Sequence, residues 1–388
     1  MVTTPTREAP TRDAIEGALR GVIDPELGDN VVDLGMVRAI AISPEGVATV
    51  TIALTIAGCP LQKQLRTDIV GRVGAVVGVS AVEVRMGEMD AEEKAALMAR
   101  ARWKARDRGI ATDIPATARI LAIASGKGGV GKSSVTANLA VSLAARGLTV
   151  GVLDADIWGF SIPRMLGMEG HVAGEDKKMV PIEQRVGSGT LKVLSMGLIG
   201  GAVEDQAIMW RGLILNRAVQ HFLEDVRWGD LDYLLIDMPP GTGDVQMGLA
   251  RMLPRADMII VTTPALAAQK VAARAADMAR RGYLRVAGVV ENMTAFTCDH
   301  GESYPLFGSG GGQRLADELG VPLLGQVPLE LAVAAGGDAG RPAAMTEGAA
   351  AAVFHEIASL IFTEVAPPVE LAGCTAQMLR NIEAALDG

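Results

Sequence analysis

The sequence predicts an α/β protein, with a mainly parallel sheet flanked by helices and a smaller α/β unit in front of it. Two observations indicate this fold class. From Arg119 onward, short apolar runs alternate with amphipathic segments, which is the pattern of βαβ units. A glycine-rich loop joins the first run to a segment of helical periodicity. The apolar runs lie at 120–124, 149–153, 191–194, 233–236, 258–261, 286–290 and 321–324.

Composition and charge limit the classes of function. The chain has 388 residues, of which 49% are hydrophobic and 3% aromatic, and its formal charge is −9. Because nucleic-acid binding needs basic surfaces that displace counterions, this balance disfavours a nucleic-acid partner, and it disfavours an anionic membrane as well. No apolar run reaches the ~18 residues of a membrane-spanning helix, and the first twelve residues lack the apolar core of a signal peptide. Three cysteines argue against a disulfide framework, so we expect a cytoplasmic protein.

The chain divides into two folded units. We predict a disordered tail at 1–12, a small α/β unit at 13–89, a helical linker at 90–117, the large unit at 118–365 and a C-terminal helical tail at 366–388. Helices and strands of the small unit follow from periodicity and turn residues. The helices are expected at 13–22 and 60–76, the strands at 37–42, 47–55 and 79–86, and closing helices of the chain at 346–364 and 375–387.

The glycine-rich loop carries the strongest chemical signal. The stretch ILAIASGKGGVGKSSVTANLAVSLAARG runs from a buried strand through the loop directly into a helix. Glycines let the backbone N–H groups point at phosphate oxygens, and the helix start adds partial positive charge. In this P-loop pattern Lys132 is expected to reach the β- and γ-phosphates, and the Ser133 hydroxyl to coordinate Mg²⁺. The predicted nucleotide-binding residues of the loop are Gly126, Lys127, Gly128, Gly129, Val130, Gly131, Lys132, Ser133 and Ser134.

Acidic residues follow two other predicted strands. Asp154 and Asp156 come at the end of one apolar run, and Asp237 ends another in the pattern of a Walker B strand, where an acid binds Mg²⁺ through water. Asp154 is expected to support the Mg²⁺ shell; the alternative is that the first two acids are helix N-caps. A loop PPGTGD follows Asp237, and the Gly241 amide is placed to sense the γ-phosphate. We therefore predict an ATPase that converts ATP and water to ADP and phosphate.

The string GKGGVGKS resembles the deviant Walker A motif of the MinD/ParA/Mrp class of ATPases. The resemblance implies a homodimer in which Lys127 crosses the interface and contacts the partner's phosphates, as an arginine finger would. The alternative for Lys127 is a solvated surface charge. The resemblance also implies that Asp156 positions the attacking water and that Asn292 reads the adenine edge. Pro328 is then expected to pack beside the base.

Longer segments resemble the Mrp/ApbC iron–sulfur cluster carrier ATPases over residues 119–345. They include DADIWGFSIPRMLG, WRGLILNRAVQHFLEDVRWGDLDYLLIDMPPGTGDVQ and GGDAGRP. The first unit, with LRGVIDPELGDNVVDLGMV and LTIAGCPL, resembles the small MIP-type domain of iron–sulfur assembly factors. Its turn at Asp24 and its Cys59 match the positions that define that domain. Cys59 at a helix start would have a lowered pKa suited to cluster transfer; the alternative is a buried inert thiol.

The sequence departs from these carriers most clearly at one position, with milder departures at Trp158 and Phe160. The carriers place a C-x-x-C pair after the motif ENM, so that two protomers supply the four thiolates of a [4Fe–4S] cluster. This chain has ENMTAFTCDHG, with Cys298 alone, and a dimer would offer two thiolates from this loop. Cys298 is either a ligand of iron, with His300 as an added donor, or a loop cysteine without a ligand role.

Three functions therefore remain in competition. The leading hypothesis is an ATP-switched iron–sulfur carrier or assembly factor with iron–sulfur recipient or scaffold proteins as partners. The second is a spatial-organising ATPase like ParA or MinD, which needs a basic DNA-binding surface or a basic amphipathic C-terminal helix. The tail 375–387 has one Arg and two acids, which is poor for anionic lipid. The third is an ATP-switched protein-binding scaffold without a cluster.

Overall fold

The computed structural model describes residues 9–24, 29–54, 62–90, 93, 97, 112–156, 159–175, 178–198, 221–241, 252–282, 284–298 and 300–369. Several predictions lie outside these residues. They concern the first eight residues, Cys59, Cys374, most of the linker helix, the loop after Gly241 and the closing helix at 375–387. The predicted boundaries between units also stay predictions. In the described part of the chain no helix is both long enough and apolar enough to span a bilayer.

The small N-terminal unit packs two helices on a three-stranded sheet, as the periodicity predicts. Strand β3 pairs antiparallel with β4, and β4 pairs parallel with β5. Thr11 caps the first helix, its hydroxyl accepting from the Ala14 N–H at 3.2 Å. The elements are α1 (Arg12–Leu19), β1 (Ile23–Asp24), β2 (Asp29–Asn30), β3 (Val37–Ile42), β4 (Val47–Leu54), α2 (Gln62–Gly74) and β5 (Ala81–Glu88).

The large unit is built on a sheet of nine described strands in the order β10-β11-β7-β12-β6-β13-β14, with β15 and β16 both paired to β14. Neighbours are parallel except at β10 and β15, which confirms the mainly parallel sheet. The strands are β6 (Arg119–Ser125), β7 (Thr149–Asp154), β8 (Ala173–Glu175), β9 (Lys178–Val180), β10 (Ile182–Val186), β11 (Gly189–Ser195), β12 (Tyr233–Asp237), β13 (Asp257–Thr262), β14 (Arg285–Thr297), β15 (Ser303–Tyr304) and β16 (Leu323–Leu329). Here β8 and β9 form a separate hairpin.

Helices cover both faces of this sheet. Successive residues of β6 point to opposite faces, so Leu121 and Ile123 lie in one core and Ile120 and Ala122 in the other. Small aliphatic side chains fill both cores, as expected of a parallel sheet buried on two sides. The helices are α3 (Lys132–Ala144), α4 (Ile162–Leu166), α5 (Leu266–Arg281), α6 (Gly311–Leu319), α7 (Leu331–Asp338) and α8 (Ala349–Leu360), which continues as a π-helical turn at Ile361–Val365.

Two strands are longer than the sequence indicates. We expected the apolar run at 286–290 to end before Asn292, but β14 continues through it to Thr297. Likewise, β16 extends past the apolar run at 321–324 to Leu329 and so includes Pro328. In both cases the extension lies where the strands pair with each other and with β15, beyond the purely apolar core. Pairing between these strands therefore extends them beyond the continuous apolar runs that the sequence pattern identifies.

The two units meet through buried charges. Arg72 of α2 is 5% exposed, and its Nη2 lies 3.0 Å from Oδ1 of Asp257 at the start of β13. The same nitrogen donates to the Arg255 carbonyl at 2.5 Å. Burial lowers the pKa of Arg72, and the charge of Asp257 opposes this effect. A second pair joins Arg119 of β6 to Asp68 of α2 at 3.1 Å. Because Arg72 and Asp257 are largely out of water, each needs a partner of opposite charge, whereas Arg119 and Asp68 are partly exposed.

Replacing Arg72 by Met is expected to lower the free energy of unfolding by about 3 kcal/mol, since it leaves Asp257 buried with Arg285 as its remaining ion-pair partner. Urea denaturation followed by circular dichroism measures the change. The control is Arg85→Met, because Arg85 is 71% exposed and pairs with Glu83 at 3.6 Å. That control should cost about 0.5 kcal/mol or less. Equal losses in both variants would contradict a stabilising role for the junction.

Candidate functional site

The phosphate loop lies between β6 and α3, at the carboxyl edge of the central strands. Gly131 has φ +80°, and α3 begins at the next residue, Lys132. A Cβ added at Gly128 or Gly129 would meet no atom within 4 Å, so these residues border open space. A glycine-rich turn at a helix start presents N–H groups to an anion. The loop therefore has the form that the sequence predicts for phosphate binding.

Gly126 is required for the loop to pack on α5. A Cβ at this position would lie 2.2 Å from the carbonyl carbon of Val271 and 2.3 Å from the N of Ala272. Both atoms belong to helix backbone, which cannot move aside as a flexible side chain can. Helix α5 thus fixes the first turn of the loop from outside.

Gly126→Ala is expected to lower the free energy of unfolding by about 2–3 kcal/mol, because the added methyl group overlaps backbone. Thermal unfolding without nucleotide is the measurement. Gly128→Ala is the matched control, because the space at Gly128 is open and its φ is not in the left-handed region. Unfolding of Gly126→Ala at the parent's temperature would contradict the close approach to α5.

Lys132, Ser133 and Asp237 converge at the start of α3. The Lys132 Nζ lies 2.7 Å from Asp237 Oδ2 and 3.3 Å from Ser133 Oγ. The Ser133 hydroxyl donates to the same Asp237 Oδ2 at 2.6 Å. Asp237 is fully buried and Lys132 is 6% exposed. A buried acid thus holds the lysine and the hydroxyl that the sequence assigns to phosphate and Mg²⁺.

Asp154 lies beside Asp237, because β7 and β12 are parallel and these two residues are in register. Its Oδ1 accepts from the Asp156 N–H at 3.2 Å. Its Oδ2 accepts from the N–H groups of Ser161 at 3.1 Å and Ile162 at 3.3 Å. Burial, followed by the charge of Asp237, raises the pKa of Asp154 to about 7. Asp154 therefore organises the loop after β7, and its predicted part in the Mg²⁺ shell stays a prediction.

Asp156 is half-buried on that loop. Its pKa is raised by burial, while the charge of Lys132 lowers it. The backbone oxygen of Asp156 accepts from the Gly159 N–H at 3.0 Å, which closes the turn. The Asp156 N–H donates to Oδ1 of Asp154, which is in register with Asp237 at the end of the neighbouring strand. Asp156 therefore lies at the edge of the sheet that carries these acids, and its part in positioning water stays a prediction.

Gly241 lies directly behind the phosphate loop. It has φ +98°, and its N–H donates to the Ser125 carbonyl at 3.1 Å. To contact the γ-phosphate as predicted, the Gly241 N–H would have to leave the Ser125 carbonyl or donate to both acceptors at once. Gly241 therefore links the end of β6 to the loop after β12.

Asn292 contacts the phosphate loop from β14. Its Nδ2 donates to the Val130 carbonyl at 2.9 Å, and its side chain is buried. A Cβ at Gly131 would lie 2.2 Å from this Nδ2, so the side-chain amide packs directly against the loop backbone at a position without a side chain. Met293 follows with φ +59°, a conformation that non-glycine residues rarely adopt. Pro328 is half-buried on the adjoining β16.

Lys127 differs from Lys132 in its environment. Its side chain is exposed, while its carbonyl accepts from the Ser125 hydroxyl at 3.0 Å. A hydrogen bond thus fixes the backbone of Lys127, while its side chain is exposed to solvent. Ser134, also predicted to bind nucleotide, is half-buried in the first turn of α3, and its carbonyl accepts from Asn138.

Cys298 follows β14 at the turn into β15 and is a half-buried free thiol. Its N–H donates to the Glu302 carbonyl and its carbonyl accepts from the Gly301 N–H, both at 2.9 Å. Nearby, the Tyr304 hydroxyl donates to the Glu302 carboxylate at 2.5 Å, and this bond raises the pKa of Tyr304. Among the described residues no group of three or more His, Cys, Asp or Glu side chains could hold a metal ion.

The donor set fits a magnesium nucleotide. A hydroxyl oxygen and a carboxylate oxygen, 2.6 Å apart, stand at the start of a helix beside a loop that is open at two glycines. Mg²⁺ prefers such oxygens together with phosphates. Two further hydroxyls, on Thr136 and Ser195, contact the acid pair and escaped the sequence analysis. Only their positions in the sequence could have indicated them: Thr136 lies on the same helix face as Ser133, and Ser195 follows an apolar strand run.

Comparison with known proteins covers both units. The sequence matches the family model ParA, described as NUBPL iron-transfer P-loop NTPase, over residues 116–362. Residues 12–85 match a model described as iron–sulfur cluster assembly protein. The first range includes the nine described strands of the large sheet, and the second lies in the unit that carries the three-stranded sheet.

Named relatives extend over nearly the full chain. A protein named iron–sulfur cluster carrier protein from Mycobacterium tuberculosis H37Rv is 43% identical over 368 residues, covering 92% of this chain and 95% of the relative. One of the same name from Deinococcus radiodurans is 41% identical, covering 91% and 95%. A nucleotide-binding protein of Archaeoglobus fulgidus in complex with ADP is 38% identical, with a TM-score of 0.49, covering 57% of this chain and 86% of that one.

Proposed function

This chain belongs to the ParA-type iron-transfer P-loop NTPase family, and from that membership we propose that it is an ATP-hydrolysing iron–sulfur cluster carrier that works as an ATP-switched homodimer. The observation that carries the proposal is the convergence of Lys132, Ser133 and Asp237 at the start of α3, within 3.3 Å of one another. Relatives named for cluster transport support the cargo.

In the proposed reaction the loop binds the triphosphate through its N–H groups, and Lys132 turns from Asp237 to the β- and γ-phosphates. Ser133 and Asp237 would hold Mg²⁺, which neutralises phosphate charge when bound. Asp156 orients the water that attacks the γ-phosphorus, and the bond to the β–γ bridging oxygen breaks to give ADP and phosphate. Asn292 keeps the loop in its binding form by holding the Val130 carbonyl.

The dimer gives the reaction its switch. We propose that ATP draws two copies together because the exposed Lys127 of each neutralises phosphate charge on the other. Hydrolysis removes the γ-phosphate, and the Gly241 amide loses the group that it senses. The dimer then opens, which links ATP turnover to release of cargo.

The cargo is proposed to be a [4Fe–4S] cluster or its iron. Such a cluster binds four thiolates as a rule, and Cys298 would supply two across a two-fold axis. Cys59, beyond the described residues, is the other candidate and would serve in transfer. This part of the proposal is supported by the family and by the place of Cys298 directly after β14, the strand that carries Asn292.

Anaerobic purification and reconstitution with ferrous iron and sulfide test the cargo. We expect iron and sulfide to bind with a broad visible absorbance, and the cluster to move to an apo-ferredoxin faster with Mg-ATP than with ADP. Cys298→Ser and Cys59→Ser separate the two thiols, and Cys374→Ser is the control. Absence of iron and chromophore in the parent would remove the carrier function and leave the ATPase.

A further inference from the structure

Two buried hydroxyls each hold one member of the acid pair. Thr136 Oγ1 lies 2.8 Å from Asp237 Oδ1, and Ser195 Oγ lies 3.2 Å from Asp154 Oδ2. Both hydroxyl-bearing side chains are fully buried, as are both carboxylates. The four residues come from α3, β11, β7 and β12, so the contact exists only in the folded sheet.

The Thr136 hydroxyl has one proton and two acceptors. Its Oγ1 lies 3.0 Å from the Lys132 carbonyl, one helical turn back, and closer to Asp237. A charged acceptor forms the stronger bond, so the proton belongs to the carboxylate. Rotation of a carboxylate about its last bond is otherwise soft. Thr136 on Oδ1 thus fixes the plane of Asp237 and directs Oδ2 toward Lys132 and Ser133.

Ser195 acts at the other acid. Its Oγ accepts from the Gly197 N–H at 3.3 Å, which leaves the hydroxyl proton for Asp154. The opposite oxygen of Asp154 holds the Asp156 N–H. Strand β11 therefore reaches the loop of Asp156 through a chain of two hydrogen bonds.

We propose that Thr136 and Ser195 are positioning residues for ATP hydrolysis, Thr136 by orienting Asp237 toward the metal end of the site and Ser195 by fixing the loop of Asp156. The inference rests on the proposed ATPase. The two hydroxyls are expected to differ in their effects. Loss of the Thr136 hydroxyl changes the Mg²⁺ concentration that nucleotide binding requires, whereas loss of the Ser195 hydroxyl changes only the rate of ATP hydrolysis.

The test uses the full-length chain and two readouts. Affinity for a non-hydrolysable ATP analogue is measured over a Mg²⁺ titration, and kcat is measured at saturating Mg-ATP. Thr136→Val, which keeps the shape and removes the hydroxyl, is expected to raise the Mg²⁺ midpoint about 10-fold and to lower kcat about 10-fold, as for loss of a charged hydrogen bond. Ser195→Ala should lower kcat about 10-fold and leave the Mg²⁺ midpoint within about 2-fold.

Matched variants distinguish positioning from packing. Ser142 lies on the same helix, is 1% exposed, and its hydroxyl is buried without a hydrogen-bond partner. Ser142→Ala is therefore expected to leave both readouts unchanged. Thr136→Ser should restore the parent's Mg²⁺ midpoint, because it keeps the hydroxyl. If Thr136→Val does not fold, Thr136→Ala takes its place beside Thr136→Ser.

Three results would overturn the inference: a parental Mg²⁺ midpoint without the Thr136 hydroxyl, equal losses in Thr136→Ser and Thr136→Ala, or a parental kcat in Ser195→Ala. Failure of the proposed function is distinguishable, since the parent would then bind the analogue without hydrolysing ATP. In that case the Mg²⁺ titration still tests whether the Thr136 hydroxyl orients Asp237 for Mg²⁺ binding.

Discussion

Lys127→Ala is expected to slow ATP hydrolysis by about 10³-fold, the effect of removing a cationic finger from phosphoryl transfer. The reason is the contrast between two lysines of one loop. Lys132 is buried against Asp237, whereas Lys127 is exposed and free to reach another molecule. Steady-state hydrolysis and ATP affinity are measured together, and affinity in the isolated protomer should change little.

The control for loss of charge is Lys270→Ala. Lys270 is exposed on α5, next to the Val271 backbone that supports Gly126. Its removal should leave hydrolysis within about 2-fold of the parent, as for a surface substitution. If Lys127→Ala hydrolysed ATP at the parent's rate, Lys127 would be a solvated surface charge, and the proposed contact across the dimer would be wrong.

Asp156→Asn is expected to lower kcat by about 100-fold or more, since the amide cannot accept the proton of the attacking water as a carboxylate does. The replacement is isosteric, and the bond from the residue's N–H to Asp154 is a backbone bond that remains. ATP affinity and ATP-driven dimer formation should therefore persist. Single-turnover hydrolysis and analytical ultracentrifugation measure the two properties separately.

Asp338→Asn is the matched control, because Asp338 is a 73% exposed acid that pairs with Arg164 close to the same loop. It should hydrolyse ATP at about the parent's rate. If Asp156→Asn also kept that rate, Asp156 would be a structural residue of the turn that Gly159 closes.

Mixing the two inactive variants tests action across the dimer directly. A hybrid of Lys127→Ala with Asp156→Asn has one site with its own Asp156 and a partner's Lys127. With random pairing in a two-fold dimer, about a quarter of the parent's activity should return. No recovery in demonstrated hybrids would place both residues in the same protomer's site.

The sequence located the site through local signals. A strand, a glycine-rich loop and a helix occur consecutively, so Lys132 and Ser133 could be placed before any tertiary information. Parallel strands end at one edge of a sheet, and the structure places Asp154 and Asp237 in register at the ends of β7 and β12, a pairing of strands that the sequence does not predict. The length of β14 was underestimated, because its last residues, 292–297, mix polar with apolar side chains and pair only where β15 and β16 meet them.

Local pattern by itself determined the sheet, the phosphate loop and the identity of the acids, because periodicity and glycine spacing are properties of consecutive residues. The tertiary structure alone decided which hydroxyls hold the acids, that Asn292 presses on Gly131, and that Arg72 pairs with Asp257. Each of these contacts joins residues more than 40 positions apart in the sequence. Hydrogen bonds and ion pairs of this kind depend on how whole elements pack, which no short window of sequence encodes.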